Sequence, residues 1–246
     1  MSKSRVRLSP PAQAIKMNKP YIYESSKNAE FASNEAIIVL PDIYCQTNYS
    51  KKTVDDFALN FKRPVFLLDY FSISTGEGNN FNEGDREKVH DLMTNFKGDE
   101  FVIFLKKVLT EIKETYPKIQ EVAVIGFCFG GRLAYIAGGE KPVSKVVSFY
   151  GGGANTSNYV DGKSPIEYLI SKKSGDIAVT SFFGINDPSI PEEDREKIKQ
   201  AFTDTSIDFS FYEYDAGHAY FQEGRKNYNV VASKASWKIL ENIFNV

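Results

Sequence analysis

Apolar positions along the chain fall into two alternating patterns. Short continuous runs, rich in β-branched and aromatic residues, predict buried strands at 36–40, 65–68, 122–125, 145–150, 177–183 and 207–214. Between them apolar residues recur at helical spacing. Val54, Phe57, Ala58 and Phe61 share one helix face, and 101–116 alternates apolar with Lys and Glu until Pro117 stops it. A short helix through Leu133 and Ala137 is closed by Gly138 and Gly139, and 192–202 predicts a charged surface helix. A terminal helix over 230–244 carries Val231, Ala235, Ile239 and Ile243 on one stripe. Such alternation predicts an α/β chain forming one domain over 1–246, with a mostly parallel central sheet and helices on both faces. Two stretches break the pattern. Residues 72–98 are polar and rich in Gly, Asn and charge, which predicts a long loop or lid, and 1–34 predicts an N-terminal extension or edge strand.

In open parallel sheets, sites gather at the carboxyl ends of strands. The strongest local signal lies at such an end. The run 122–125 leads into Gly126-Phe127-Cys128-Phe129-Gly130-Gly131 and then into a helix. A nucleophile elbow is a tight, strained turn that needs small residues two before and two after the nucleophile, and Gly126 and Gly130 stand there. The turn would raise Cys128 above the sheet at a helix N-terminus, whose partial positive charge favours thiolate. The amide of Phe129 would point at a developing oxyanion. The plainer reading is close strand–helix packing with Cys128 as a small buried filler. A phosphate cradle fits less well, because no Lys-Ser/Thr follows Gly131 and the G-x-G-x-x-G spacing fails.

The chain has two histidines. His90 sits among Asp85, Arg86, Glu87, Lys88 and Asp91, which predicts a solvated surface position. His218 lies in a glycine-containing turn after the last predicted strand, where a general base would be carried, although a turn residue satisfied by backbone groups would look the same. Asp187 follows strand 177–183 beside Pro188, and the order Cys, Asp, His matches the hydrolase template. Asp215 is the rival orienter, but it lies only three residues before His218 and so is not delivered from a separate strand.

Composition narrows the picture from outside. Charged residues make up 25% and the formal charge is −2, so nothing points to nucleic acid or a polybasic membrane surface. No apolar run approaches the roughly 20 residues needed to cross a bilayer, and the basic N-terminus lacks the apolar stretch of a secretory signal. Two cysteines are too few for a disulfide framework. A Cys45–Cys128 bridge stays open, while reduced thiols in a cytoplasmic setting fit better.

With these residues in view, the chain resembles the dienelactone hydrolase family, a branch of the α/β-hydrolases. The resemblance runs from about residue 36 to the C-terminus and rests on G-F-C-F-G-G at 126–131, G-I-N-D-P at 184–188 and A-G-H-A-Y at 216–220. It implies the α/β-hydrolase fold, a Cys128–His218–Asp187 triad and an oxyanion hole built from the amides of Ile43 and Phe129. It calls for no metal and no cofactor. The implied partner is a small-molecule ester, lactone or thioester, with neither nucleic acid nor membrane involved and the oligomeric state left open. Three departures stand out. Family members place a glutamate that contacts the resting thiol where this chain has Asp42. They often have glycine at the position of Cys45. Dienelactone-cleaving members carry a carboxylate-binding arginine where this chain has Gln222, leaving Arg225 as the nearby substrate-binding candidate. These departures keep two other readings open: a non-catalytic ligand- or partner-binding protein on the same fold, and a redox-sensing thiol at Cys128.

Overall fold

The computed structural model describes residues 19–25, 31, 33–173 and 176–245. The basic residues Lys3, Arg5, Arg7 and Lys16 of the expected extension lie outside them. Seven strands form one sheet: β1 (Ile22–Glu24), β2 (Glu35–Leu40), β3 (Val65–Leu68), β4 (Glu121–Phe127), β5 (Val143–Phe149), β6 (Ala178–Gly184) and β7 (Asp208–Tyr214). Their order is β1-β3-β2-β4-β5-β6-β7. Only β1 runs antiparallel, pairing Ile22 with Leu68 at the edge; the register is otherwise parallel throughout. Every residue of β2 and β3 is buried, as the continuous apolar runs require of strands covered on both faces.

The helices are α1 (Asn48–Phe61), α2 (Ser72–Thr75), α3 (Arg86–Thr94), α4 (Gly98–Thr115), α5 (Phe129–Gly138), α6 (Pro165–Lys172), α7 (Glu192–Ala201) and α8 (Val230–Ile243). Two layers follow from the strand order. Right-handed crossovers put the β2–β3 connection on one face and the β4–β5, β5–β6 and β6–β7 connections on the other. Contacts agree: α1 and α8 meet through Trp237, whose ring lies 5.5 Å from Phe57 and 5.4 Å from Phe61, while α4, α5, α6 and α7 pack in succession. No described helix is long and apolar enough to cross a membrane.

The 72–98 segment differs from the expected long loop. It holds α2, a 3-10 turn at Glu83–Asp85 and α3. Helix α3 fully buries only Val89, but Leu92 and Met93 pack half-buried beside it; this short i, i+3, i+4 stripe lies among charged residues, and the sequence reading passes over it. The segment is also pinned locally. The Asp69 carboxylate accepts from the Phe71 amide at 3.1 Å and from the backbone and side chain of Asn79. Helix α6, also absent from the sequence reading, buries Ile166, Tyr168 and Leu169, and Ser164 and Glu167 form a reciprocal capping box around Pro165 at its first turn.

The sheet's switch point lies between β2 and β4. The chain leaves β2 for β3 on one side and returns to lay β4 on the other. Crevices form at such points. Here the loops after β2, β4, β5, β6 and β7 converge at one end of the sheet.

Candidate active site

Cys128 follows β4 directly and caps the N-terminus of α5 with φ 55° and ψ −117°. A left-handed φ on a non-glycine residue is strained and persists only where the surroundings enforce it. The glycines enforce it by omission. A Cβ on Gly126 would lie 2.1 Å from the Gly130 carbonyl oxygen, and one on Gly130 would lie 2.2 Å from the Pro41 carbonyl oxygen. The elbow is therefore packed against itself and against the end of β2, with the Cys128 amide bonded to the Phe149 carbonyl at 3.0 Å.

His218 and Asp187 arrive from separate loops. The His218 Nδ1 sits 2.5 Å from Asp187 Oδ2, whose side chain is wholly buried. The other Asp187 oxygen accepts from the Ser189 amide at 2.8 Å, which fixes the carboxylate. The rival Asp215 is occupied elsewhere and accepts from the Asn186 side chain at 2.6 Å. The imidazole also faces the Cys128 thiol. Burial disfavours the imidazolium, but the hydrogen bonds to Asp187 and Cys128 outweigh it and raise the His218 pKa to about 10. Both cysteines are free thiols.

The two oxyanion candidates have unspent amides. Phe129 is the first residue of α5, where an amide has no acceptor one turn back. Ile43 lies in the turn after β2, and its amide meets no backbone acceptor among the described residues. Both residues line a cavity of about 700 Å³ with Cys128, His218, Asp42 and Arg225. From the 72–98 segment, Glu83, Arg86, His90 and Met93 line the same cavity. His90 is exposed, as its polar surroundings imply, but it stands at this mouth rather than on an unrelated surface.

Asp42 occupies the position where the resemblance implies a thiol-contacting acid, and here the geometry differs. Its Oδ1 accepts from the Tyr44 amide at 3.0 Å; its Oδ2 accepts from Gln222 Nε2 at 3.0 Å and from Arg225 Nη2 at 2.8 Å. No hydrogen bond joins it to Cys128 among the described residues. One methylene shorter than glutamate, the side chain closes a local turn instead. Arg225 enters the cavity, but its charge is engaged: it pairs with Asp42, donates to Gln222 Oε1 at 3.1 Å and lies 4.6 Å over the Tyr44 ring. Cys45 adopts φ 61°, which accounts for a preference for glycine at that position.

Two cavity residues were missed by the sequence reading. Arg132 lies one turn after Cys128 on α5. Its Nε donates to the Gly152 carbonyl at 2.7 Å, and its guanidinium lies 5.1 Å over the Phe129 ring and 5.5 Å over that of Tyr159. It is paired with no carboxylate among the described residues. The i, i+4 spacing from Cys128 would have put it on the thiol's side of the helix. Tyr150 is buried at φ 39° with its ring 5.1 Å from that of His218; its position directly after β5 was the available signal.

Sheet order, crossover pattern and the elbow at the end of β4 define an α/β-hydrolase fold. Solved structures agree on the fold. A provisionally named dienelactone hydrolase from Klebsiella pneumoniae subsp. pneumoniae superposes with a TM-score of 0.76 at 18% identity, covering 91% of this chain and 92% of that one. The dienelactone hydrolase-like promiscuous phosphotriesterase P91 from metagenomic libraries does so at 0.63 and 16%, covering 92% and 98%. Within that fold the chain belongs to the dienelactone hydrolase family, whose sequence profile matches residues 21–246. Among curated relatives, a protein of Synechocystis sp. carrying the provisional name carboxymethylenebutenolidase is 34% identical over 134 residues, 53% of each chain. A likewise named Escherichia coli K12 protein is 24% identical over 167 residues, 64% of this chain and 60% of that one. The chain thus spans little more than half the length of the curated relatives it matches.

Proposed function

We propose that the protein hydrolyses carboxylic esters, lactones or thioesters through a covalent acyl-enzyme on Cys128. The observation that carries this reading is the meeting of three side chains from three loops. A strained cysteine at a helix N-terminus faces an imidazole whose far nitrogen is held 2.5 Å from a buried carboxylate. Asp187 fixes the imidazole tautomer and stabilises the imidazolium. The Cys128 thiolate attacks the carbonyl carbon, and the carbonyl electrons move onto oxygen, where the Ile43 and Phe129 amides receive them. Collapse of the tetrahedral intermediate expels the leaving oxygen or sulfur, which takes the proton from His218. Water, deprotonated by His218, then attacks the thioester, and the acid leaves as the thiolate re-forms.

The relatives' name points to a butenolide bearing a carboxymethylene group. A carboxylate entering this cavity would find Arg225 already paired with Asp42; among the described residues Arg86 and Arg132 line the same cavity with no carboxylate partner, and Arg132 is the one held in place, by the Gly152 carbonyl and two aromatic rings. This supports an acidic ester or lactone whose anion is read from α5 rather than from the histidine loop.

The test compares wild type with Cys128→Ala on p-nitrophenyl acyl esters. We expect kcat/KM to fall by about 10⁴-fold or more, the scale of losing a nucleophile. A wild type no faster than the variant would favour a binding protein on a hydrolase fold.

A further inference from the structure

We infer that Asp42 is a positioning residue that locks the oxyanion loop to the histidine loop, and that it does not activate the thiol. The inference rests on the proposed acyl-enzyme reading and assigns Asp42 a different task from that of a thiol-contacting acid. Asp42 stands two residues past β2 and immediately before Ile43, whose amide is one of the two oxyanion donors. Three bonds fix the Asp42–Cys45 turn: Asp42 Oδ1 accepts from the Tyr44 amide at 3.0 Å, the Asp42 carbonyl accepts from the Cys45 amide at 3.1 Å, and the same carbonyl accepts from the buried Tyr70 hydroxyl at 2.9 Å. The peptide carrying the Ile43 amide is thereby held at both ends.

Oδ2 reaches in the other direction. It takes Gln222 Nε2 at 3.0 Å and Arg225 Nη2 at 2.8 Å, and Arg225 Nε closes the triangle on Gln222 Oε1 at 3.1 Å. Gln222 and Arg225 belong to the loop that begins at His218. That loop is tied to itself by Asn227 Nδ2 donating to the His218 carbonyl at 3.1 Å and by the Gln222 amide donating to the Ala219 carbonyl at 3.0 Å. One carboxylate therefore spans the segment that holds the oxyanion donor and the segment that holds the base. Each of its oxygens is committed to one side. Asp42 and Gln222 are buried, so that half of the bridge is shielded from water, whereas the Arg225 side chain is 32% exposed at the cavity and its half is more open to salt. Oxyanion donors act only within a few tenths of an ångström of their productive place, and a brace of this kind supplies that precision.

Substitutions at 42 separate the two halves of the brace. Asp42→Ala removes both. Asp42→Asn keeps one acceptor for the Tyr44 amide, but its amide nitrogen then faces two donors, so the turn survives and the bridge breaks. Arg225→Met breaks the bridge from the far side and removes the guanidinium from the Tyr44 ring, but leaves the Tyr44 amide, Cys45 amide and Tyr70 hydroxyl bonds of the turn in place. Each variant is assayed for steady-state hydrolysis of p-nitrophenyl acetate and for the pH dependence of Cys128 alkylation by iodoacetamide, with thermal unfolding as the check on folding.

We expect kcat to fall by about 30- to 100-fold in Asp42→Ala, below the full loss of an oxyanion donor. Losses of about 5- to 10-fold are expected in Asp42→Asn and Arg225→Met, with KM within about twofold and the midpoint of the alkylation profile unmoved in all three. Should Asp42→Ala fail to fold, Asp42→Asn and Arg225→Met carry the test. An alkylation midpoint shifted equally, in either direction, in Asp42→Ala and Asp42→Asn would show that the charge acts on the thiol and would overturn the inference. So would wild-type kcat in both Asp42→Asn and Arg225→Met. If Cys128→Ala kept wild-type activity, the acyl-enzyme reading itself would fall, a result distinguishable from either of these.

Discussion

Strand β2 carries a buried acid at each end, and the two have opposite surroundings. At its start, Glu35 is clasped by Arg63 at 2.6 Å and by Lys145, and the cations lie over the Phe244 ring at 5.3 and 6.0 Å. Past its end, Asp42 is clasped by Arg225 and Gln222. Chemically the clusters are alike: one carboxylate, neutralised by an arginine stacked on an aromatic ring. The first closes on itself, whereas the second opens onto a cavity of about 700 Å³.

Backbone strain follows the same division. Among the described residues, eight that are not glycine have positive φ. Asn158, Asp161 and Asn245 are of types that tolerate it, and Lys62 ends α1 as its C-cap. The other four, Cys45, Cys128, Tyr150 and Ala219, lie in the loops after β2, β4, β5 and β7. Strain of about 1–3 kcal/mol per residue is thus concentrated at one end of the sheet. A buried ion pair alone does not mark function. An ion pair beside a cavity and strained neighbours does.

Three perturbations sharpen the contrast. The largest effect is expected from Asp187→Asn at the strained end. It leaves the loop in place but favours the wrong imidazole tautomer, so kcat should fall by about 10²- to 10⁴-fold with little change in melting temperature. A fall of less than about tenfold would make Asp187 a turn residue. Glu35→Gln, at the closed end, should reverse the pattern. Removing the shared acid leaves two cations unpaired at a cost of about 2–4 kcal/mol, or roughly 5–15 °C in melting temperature for a chain of this size. The kcat of the folded protein should stay at the wild-type value. An activity loss without destabilisation would erase the distinction between the two ends. The smallest effect belongs to Arg132→Met. KM for a p-nitrophenyl ester carrying a free carboxylate should rise about tenfold, the worth of one charge-assisted hydrogen bond, while KM for p-nitrophenyl acetate stays put. Equal changes on both esters would remove the anion-reading role.

Most of the architecture was legible because covered strands leave continuous apolar runs and their helices leave periodic ones. Each expected strand lies within two residues of an observed one. The elbow was legible because only glycine fits at 126 and 130, and three loops supplied Cys128, Asp187 and His218 in hydrolase order. What escaped was short and set among polar residues. Helix α3 fully buries a single residue, and the 69–81 segment is held both by the Asp69 carboxylate and by Tyr70 and Phe71 packing on Phe129. The partnerships of Asp42 escaped for a different reason. They reach 180 and 183 positions along the chain, and no local pattern encodes which of two nearby groups a carboxylate will choose. Arg132 could have been read from its spacing to Cys128, but its lack of an acidic partner among the described residues could not.

The most direct test of the account is to trap the intermediate. Protein mixed with p-nitrophenyl acetate, quenched in acid within the first turnover and digested, should yield one acetyl group on the peptide containing Cys128. The adduct should be absent from Cys128→Ala and should persist longer in Asp187→Asn, whose base is misoriented. Turnover of the ester with no acetylated Cys128 at any quench time, or acetyl found only on other residues, would contradict it.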